Sequence, residues 1–259
     1  MSKTKILAIA NQKGGVGKTT TSVNLAAALA MKNKKVLIID LDPQGNATMG
    51  CGVDSSNLSE NACDLLLEEL QIQQVIIDTN VDNLSLIGSN TDLTAAELKL
   101  MDEEHPESVL KNQISKLDNA YDYIIIDCPP SLSILTVNAL VVAGGVIIPM
   151  QCEYYALEGL ASLLQTVDRI QSTVNPDLKI EGILRTMFDG RNNLANEVSA
   201  QLIKYFDDKV YVTVIPRNVR VAEAPSHGLS VIAYDKSSRG AIAYQGFAAE
   251  VIRGNNHGK

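Results

Sequence analysis

A glycine-rich segment near the start of the chain constrains the fold more than any other feature. Residues 11–20 are Asn-Gln-Lys-Gly-Gly-Val-Gly-Lys-Thr-Thr, between the apolar run 6–10 and an Ala- and Leu-rich segment of helical periodicity, 19–31. Glycines in such a loop allow backbone conformations and close approaches that a Cβ would prevent. Their amides converge with the positive end of the following helix on anionic groups. The segment therefore predicts a phosphate-binding loop in an α/β protein.

Individual side chains of this loop are candidates for separate functions. We expect Lys18 to reach the β- and γ-phosphates of a nucleotide and the Thr19 hydroxyl to complete the coordination of Mg²⁺. The strict pattern G-x-x-x-x-G-K-[ST] is not met, because Gln12 occupies its first glycine position and a second lysine, Lys13, lies beside it. A glycine-rich turn can simply join a strand to a helix, but the Gly-Lys-Thr spacing favours a phosphate site. The predicted nucleotide-binding residues are Lys13, Gly14, Gly15, Val16, Gly17, Lys18, Thr19 and Thr20.

Short β-branched runs alternate with longer helical segments along the chain, which is typical of a parallel sheet wound with helices. The predicted strands are 6–10, 36–39, 123–126, 146–150, 180–184 and 211–215. The predicted helices are 19–31, 92–101, 108–117, 157–174, 194–206 and 240–252. No repeat, low-complexity tract or long linker interrupts the pattern. It predicts one α/β P-loop NTPase domain over residues 1–259, with a mostly parallel twisted sheet, helices on both faces and a frayed tail at about 254–259.

Carboxylates follow two of the predicted strands. Asp40 and Asp42 come at the end of the second strand, and Asp127 follows the four apolar residues 123–126 in a Walker B arrangement. Ligands of parallel α/β sheets bind at these carboxyl ends. Asp127 is therefore expected on the metal side of the phosphate site, and Asp42 is expected to hold Mg²⁺ or orient an attacking water. Asp40 has two open interpretations, a metal contact through water or a structural turn residue.

Composition excludes several classes of protein. Of 259 residues, 46% are apolar and 20% are charged, which excludes a disordered or fibrous chain. The longest apolar stretch, 139–150, is far shorter than the ~20 residues that span a bilayer, and the N-terminus has no secretory cleavage pattern. The four cysteines show no metal-binding spacing, so reduced thiols are expected. We expect a cytoplasmic protein.

Charge is distributed unevenly along the chain. The net charge is −8, yet residues 179–259 contain 11 Lys and Arg against 8 Asp and Glu. A basic C-terminal third on an acidic body can form a surface that faces anions, although a chance fluctuation accounts equally well for these counts. Charge alone therefore does not predict nucleic-acid binding.

Five segments together resemble the ParA/Soj family, the deviant Walker A ATPases of chromosome and plasmid partition. The likeness covers residues 5–252, nearly the whole chain. The segments are Lys-Gly-Gly-Val-Gly-Lys-Thr-Thr at 13–20, Asp-Leu-Asp-Pro-Gln-Gly-Asn at 40–46, Ile-Asp-Cys-Pro-Pro-Ser at 126–131, Gln-Cys-Glu-Tyr-Tyr-Ala-Leu-Glu-Gly at 151–159 and Ile-Pro-Arg-Asn-Val-Arg at 215–220.

The resemblance implies functions for residues of the nucleotide site. Lys13 becomes the signature lysine, which in the family crosses an ATP-sandwich dimer to the partner's phosphates and, with Lys18, serves catalysis. Asp42 would position the hydrolytic water, and Asp127 would be an outer-shell Mg²⁺ ligand. Pro216 and Asn218 fall where the family holds the adenine.

The resemblance also implies a DNA surface. Arg191 and Arg220 fall where the family places residues that grip the DNA backbone without reading sequence. Arginine suits phosphate because it forms bidentate hydrogen bonds, and such contacts carry no base information. Either arginine could instead pair with a nearby acid, Asp189 or Glu223.

Two departures limit what the resemblance implies. Residues 106–109 are Pro-Glu-Ser-Val, where family members often carry Arg-Glu-x-Arg. Ten residues precede Asn11, which leaves no room for the N-terminal helix-turn-helix domain of larger plasmid ParA proteins. A sequence-specific autorepressor function is therefore not expected.

The expected protein is a slow ATPase that uses ATP and Mg²⁺, forms an ATP-dependent homodimer and binds DNA nonspecifically. A ParB-type centromere-binding partner would stimulate hydrolysis and release the dimer from the nucleoid, and no membrane contact is expected. A MinD-like ATPase that marks the division site on the membrane is the main alternative. Such proteins end in a basic amphipathic helix, whereas the segment 240–253 is Ala-rich with a single Arg. An iron–sulfur carrier and a nucleotide-gated scaffold without hydrolysis are further alternatives.

Overall fold

An eight-stranded sheet forms the centre of the structure, a computed structural model that describes residues 4–117, 120–154 and 156–254. Across the sheet the order is β3-β4-β2-β5-β1-β6-β7-β8. Neighbouring strands pair in parallel, except that β3 and β4 are antiparallel. The strands are β1 (Lys5–Ile9), β2 (Val36–Asp40), β3 (Ile77–Asp78), β4 (Leu84–Ile87), β5 (Tyr123–Asp127), β6 (Gly145–Gln151), β7 (Lys179–Phe188) and β8 (Val210–Pro216).

Helices cover both faces of this sheet, as the sequence predicts. One face packs against α1, α11 and α12, and the other packs against α3 to α9. The helices within the described residues are α1 (Lys18–Ala30), α2 (Asn46–Gly50), α3 (Ala62–Leu66), α4 (Ile72–Val75), α5 (Leu93–Leu100), α6 (Val109–Ile114), α7 (Ile134–Val142), α8 (Ala156–Thr173), α9 (Asn193–Phe206), α10 (Val219–Glu223), α11 (Val231–Tyr234) and α12 (Arg239–Arg253). The predicted α/β class with a mostly parallel sheet is confirmed.

The central strand β5 shows why its sequence is continuously apolar. Ile125 packs on the side of α1 and α12, whereas Ile124 and Ile126 pack on the opposite side. Successive side chains of a strand point to opposite faces, so a strand covered on both faces needs apolar residues at every position. Asp127 ends this run and is itself fully buried.

Several elements escaped the sequence prediction. The structure adds α7, the strands β3 and β4, and the short helices α2, α3, α4, α10 and α11. The apolar stretch 139–150 is divided between α7 and β6, which are separated by Ala143 and Gly144. A side chain at Gly145, the first residue of β6, would crowd its neighbours, because a Cβ there would lie 3.0 to 3.1 Å from side-chain atoms of Glu181 and Leu7.

Three further expectations concern the C-terminal tail, the state of the cysteines and a membrane-spanning segment. The predicted tail falls almost entirely on residues 255–259, which lie outside the described residues. All four cysteines lie within the described part of the chain, where each is buried and free. No helix in the described ranges has the length and apolar character needed to cross a bilayer.

Candidate functional site

A cleft of about 810 Å³ lies where the predicted loop meets the carboxyl ends of the central strands. Seven of the predicted nucleotide-site residues line it together: Gly14, Gly15, Gly17, Lys18, Thr19, Thr20 and Asp42. Val16 is buried, 1% exposed, and its carbonyl accepts a hydrogen bond of 2.7 Å from Thr186 Oγ1. Parallel strands bring their carboxyl ends to one edge, which explains how segments far apart in sequence meet here.

The loop has the open backbone conformation that its glycines predict. Gly15 and Gly17 adopt positive φ angles of 73° and 87°, in the left-handed region that favours glycine. No atom lies within 4 Å of an ideal Cβ built on Gly14 or Gly15, so the space beside them is open to a ligand. Helix α1 begins at Lys18 without a side-chain cap, which leaves its first-turn amides to an incoming anion.

Asn11 holds the base of this loop. Its Oδ1 accepts a hydrogen bond of 3.0 Å from the amide of Lys13, and its Nδ2 donates one of 2.8 Å to the Pro149 carbonyl at β6. This function of Asn11 could not be predicted from the sequence, because its partner at β6 is 138 residues away.

Lys18 is a buried cation at the start of α1. It is 7% exposed, and its Nζ donates a hydrogen bond of 3.2 Å to the Lys13 carbonyl. Burial lowers the pKa of Lys18, while the nearby carboxylates of Asp127 and Asp42 act in the opposite direction. A buried ammonium with a spare hydrogen-bonding capacity is suited to bind phosphate oxygens.

Asp127 leaves one carboxylate oxygen without a hydrogen-bonding partner. Its Oδ1 accepts a hydrogen bond of 2.7 Å from Ser22 Oγ, and the buried Oδ2 accepts none from the described residues. Burial raises the pKa of Asp127, and the neighbouring carboxylate of Asp40 raises it further. An orphaned buried oxygen beside a phosphate loop fits a metal-bound water, because a buried carboxylate needs a partner of opposite charge or a donor.

Asp40 has both oxygens occupied. Oδ1 accepts a hydrogen bond from the Asp42 amide at 3.1 Å, and Oδ2 accepts bonds of 2.8 Å from both the amide and the hydroxyl of Thr48. Burial raises its pKa, and these hydrogen bonds oppose the shift. These contacts favour a structural function of Asp40 in the turn over a contact to a metal through water.

Asp42 faces the cleft from the loop that follows β2. It is 9% exposed, and its Oδ1 accepts a hydrogen bond of 3.0 Å from the Gln44 amide. Within the described residues no donor contacts Oδ2, which leaves one carboxylate oxygen to accept a proton or a hydrogen bond from a water in the cleft.

Lys13 forms an ion pair with Glu153 of the same chain. Its Nζ lies 2.5 Å from Oε2 of Glu153, which follows β6, and the two side chains are 39% and 51% exposed. The sequence did not identify Glu153 as this partner, since 140 residues separate it from Lys13. Lys13 is not among the residues that line the first cleft, unlike the other exposed residues of the predicted loop.

Of the two residues predicted at the adenine, Pro216 is the last residue of β8 and Asn218 lies just before α10, and neither lines the first cleft. Pro216 lines a second cleft, and Asn218 caps α10 by accepting a hydrogen bond of 3.2 Å from the Val221 amide. Sequence reasoning missed the other residues that line the first cleft, which include Met49, Pro130, Met187, Pro225, Ser226 and Leu229. Pro130 lies in the recognised segment 126–131, although the sequence predicted no function for it. No motif marked the others, which come from separate connections.

The second cleft, of about 890 Å³, is lined by three arginines, Arg191, Arg217 and Arg239. Arg191 binds Asp189 in a bidentate manner, with Nε and Nη2 at 2.9 and 2.8 Å from its two oxygens. These hydrogen bonds lower the pKa of Asp189 to about 2. Arg217 and Arg239 form no ion pair with the residues that the structure describes.

Arg220 lies on α10 and is also paired. Its Nη1 is 2.9 Å from Glu223 Oε2, and its Nε is 3.6 Å from Asp235 Oδ2. The sequence therefore identified the acidic partners of both candidate DNA-binding arginines correctly, and it missed Asp235.

Comparisons with known proteins identify the family. A family model described as an AAA domain matches residues 4–180. The sporulation initiation inhibitor protein Soj of Bacillus subtilis is 53% identical over 247 residues, which cover 95% of this chain and 98% of that protein. The chromosome partitioning protein ParA of Myxococcus xanthus is 46% identical over 249 residues, which cover 96% of this chain and 88% of that protein. The chain belongs to the ParA/Soj family.

A crystal structure also matches this member of the ParA/Soj family. Cobyrinic acid a,c-diamide synthase from Mycobacterium smegmatis, with a bound ATP analogue and magnesium, has a TM-score of 0.85 and 38% sequence identity. The match covers 96% of this chain and 95% of that chain. The two folds therefore agree over nearly their whole length.

Proposed function

We propose that the chain is a partition ATPase that hydrolyses ATP slowly, forms an ATP-sandwich homodimer and binds DNA nonspecifically in the ATP state. A ParB-type partner stimulates hydrolysis and releases the dimer from the nucleoid, which drives chromosome or plasmid segregation. One observation carries the proposal: Lys18, Asp42 and the glycine loop meet in one cleft of a chain that is 53% identical to Soj.

ATP and Mg²⁺ are the proposed ligands of this cleft. The loop amides and Lys18 would bind the phosphates, and the Thr19 hydroxyl and the free Oδ2 of Asp127 would hold Mg²⁺, the latter through water. When Mg²⁺ is bound, it neutralises part of the negative charge of the phosphates. The ATP analogue and magnesium in the matching crystal structure support this choice.

Asp42 is the proposed residue that orients the attacking water. Its Oδ2 is left without a donor, and it lies on a loop whose neighbouring residues line the same cleft as Lys18. A fixed carboxylate at this position would hold one water in line with the terminal phosphate, and positioning of this kind dominates phosphoryl transfer.

The exposed pair of Lys13 and Glu153 supports dimerisation on ATP. Ion pairs between exposed side chains contribute little stability because water competes for both charges. Lys13 can therefore leave Glu153 at low cost and reach the phosphates held by a second copy. Nucleotide binding and dimer formation would thus be coupled through one side chain.

The arginine-lined cleft is the proposed centre of the DNA surface. Arg217 and Arg239, which form no ion pair with any described residue, lie beside Arg191, and Arg220 lies on α10. Contacts of this kind bind phosphate and carry no base information. A dimer doubles the surface, which offsets the overall negative charge.

The last helix gives no support to the MinD-like alternative. Helix α12 buries Ala241, Tyr244, Phe247, Ala248 and Val251 against the sheet. An amphipathic membrane anchor must instead leave its apolar face free to enter the lipid. The helix is therefore a packing element.

Sedimentation of the purified protein with ATP and with ADP tests the proposal. We expect a dimer with ATP and a monomer with ADP, and we expect Lys13→Ala to retain nucleotide binding but stay monomeric. Lys32→Ala, which removes an exposed lysine just after α1, is the matched control and should dimerise normally. An intact Lys13→Ala dimer would contradict the proposed function of this lysine.

A further inference from the structure

Asp42 is fixed by a closed ring of hydrogen bonds that includes two residues without an assigned function. Thr48 Oγ1 donates to Asp40 Oδ2 at 2.8 Å and accepts from the Ser89 amide at 2.9 Å. Ser89 Oγ donates to the Asp42 carbonyl at 2.5 Å, and the Asp42 amide donates to Asp40 Oδ1 at 3.1 Å. The ring therefore joins three separate segments of the chain around the backbone of Asp42.

Sheet topology brings these segments together. Strands β2 and β4 are parallel neighbours, with Ile39 opposite Ile87, so Ser89 comes two residues after the end of β4 beside the loop that carries Asp42. Asp40, Thr48 and Ser89 are each 0% exposed. A buried polar ring in which each member is bonded is rigid, since any rearrangement leaves an unpaired buried group.

The surrounding residues leave little freedom for the ring to shift. Gly45, at φ 62°, donates its amide to the Asp42 carbonyl at 2.9 Å, and a Cβ on it would lie 2.7 Å from the Ser89 carbonyl oxygen. A Cβ on Gly88 would lie 3.1 Å from Thr48 Cγ2. The Asp42 backbone is thus held at its amide and at its carbonyl, while its Oδ2 stays available.

We propose that Ser89 and Thr48 are positioning residues for ATP hydrolysis, which hold Asp42 in the orientation that directs its carboxylate at the attacking water. The inference rests on the proposed function, because it needs Asp42 to orient that water. Neither residue lines the cleft, so their effect on the reaction passes through Asp42. A displacement of about 1 Å is enough to reduce a rate by roughly a hundredfold.

Turnover and ATP affinity measured on Ser89→Ala test this inference. We expect kcat to fall about tenfold while ATP affinity changes less than about twofold, because the phosphate loop is untouched. Ser85→Ala, within strand β4 and directed to Asp78, is the matched control and should keep the wild-type kcat. A folded Ser89→Ala variant with wild-type kcat would overturn the proposal.

Variants of Thr48 provide a second test that does not depend on the folding of Ser89→Ala. Thr48→Ser keeps the hydroxyl and should retain kcat within about twofold. Thr48→Val keeps the shape but removes both hydrogen bonds of the hydroxyl, so kcat should fall about tenfold. Equal kcat values for the two variants would contradict a positioning function of the hydroxyl.

A double-mutant comparison separates this inference from the proposed function. In an Asp42→Ala background, Ser89→Ala should change the residual turnover less than about twofold, because residues that act through one another are not additive. A further tenfold loss would overturn the positioning function alone. Wild-type turnover of Asp42→Ala would instead overturn the proposed function of Asp42, and the inference with it.

Discussion

At the scale of single residues, the environment of Asp127 gives the strongest support for the proposed magnesium site. Its carboxylate is fully buried, one oxygen has no partner among the described residues, and Asp40 lies opposite it on the neighbouring strand. A buried unpaired oxygen lowers the stability of a folded protein. This loss of stability is the cost expected of a carboxylate that serves the proposed magnesium site.

The pH dependence of stability follows from the raised pKa of Asp127. The unfolded chain releases this proton near pH 4, whereas the folded protein retains it to higher pH. The unfolded state is therefore favoured increasingly as the pH rises from about 4 towards the folded pKa. Asp127→Asn removes the ionisation and should stabilise the nucleotide-free protein by about 1–3 kcal/mol near neutral pH, with a smaller gain near pH 4.

Denaturant unfolding at several pH values, without nucleotide or Mg²⁺, measures this effect. Asp82→Asn, at an exposed carboxylate, is the control and should show no such trend. A lower stability of Asp127→Asn than of the wild type near pH 7 would contradict the account.

The sequence predicted the phosphate loop and Asp42 because local spacing defines them. It could not predict Glu153, Thr48 or Ser89 as their partners, since the pairing of distant strands brings these residues together. Glu153 belongs to the recognised segment 151–159, but nothing in that segment indicates a contact with Lys13. The lining residue Met187, with φ 48°, was equally hidden. Residues that belong to a local motif can be predicted from the sequence. The residues that position them cannot, because strand order and pairing decide which distant residues come into contact.

At the scale of elements, α12 supports an irregular part of β8. The register between β7 and β8 shifts here, since Ile183 pairs with Val210 but Arg185 pairs with Val214. Glu250 on α12 accepts hydrogen bonds from the amides of Val212 and Thr213, inside this shift, at 2.7 and 3.0 Å. A bulge leaves backbone groups without a partner in the sheet. The helix therefore both packs on the sheet and satisfies two amides of the irregular strand.

Glu250→Ala should destabilise the protein by roughly 2–3 kcal/mol, because two amides lose a charged acceptor. Thermal or denaturant unfolding measures this loss, and the exposed Glu197→Ala on α9 is the control. Equal stability of the two variants would show that water replaces the carboxylate without penalty.

Helices and strands were predicted correctly where a segment shows a clear period over many residues. Elements were missed where tertiary packing, and not a local pattern, determines the secondary structure. Helix α12 was predicted at 240–252 and is observed at Arg239–Arg253. Helix α7 was missed, because its β-branched and apolar residues merge with the following strand into one apolar run and carry no amphipathic pattern. Strand β3 has only two residues, and β4 was missed because Ser85 interrupts its short apolar run.

At the scale of the molecule, the basic region of the sequence coincides with the part of the chain that supplies the arginines of the second cleft. The excess of basic residues lies in the region 179–259, which also contributes each arginine of the second cleft. The phosphate loop comes from the acidic remainder. The proposed account thus assigns nucleotide binding to the acidic body and DNA binding to the basic third, joined by one sheet.

The most direct measurement is the binding of unrelated DNA duplexes with ATP, with ADP and without nucleotide, across a series of salt concentrations. The account predicts binding with ATP alone, equal for each duplex and lost steeply as salt rises, because phosphate contacts release counterions. Arg191→Ala should weaken this binding, and Arg169→Ala, at an exposed position on α8, should not. Binding that is independent of nucleotide, or absent in every state, would contradict the account.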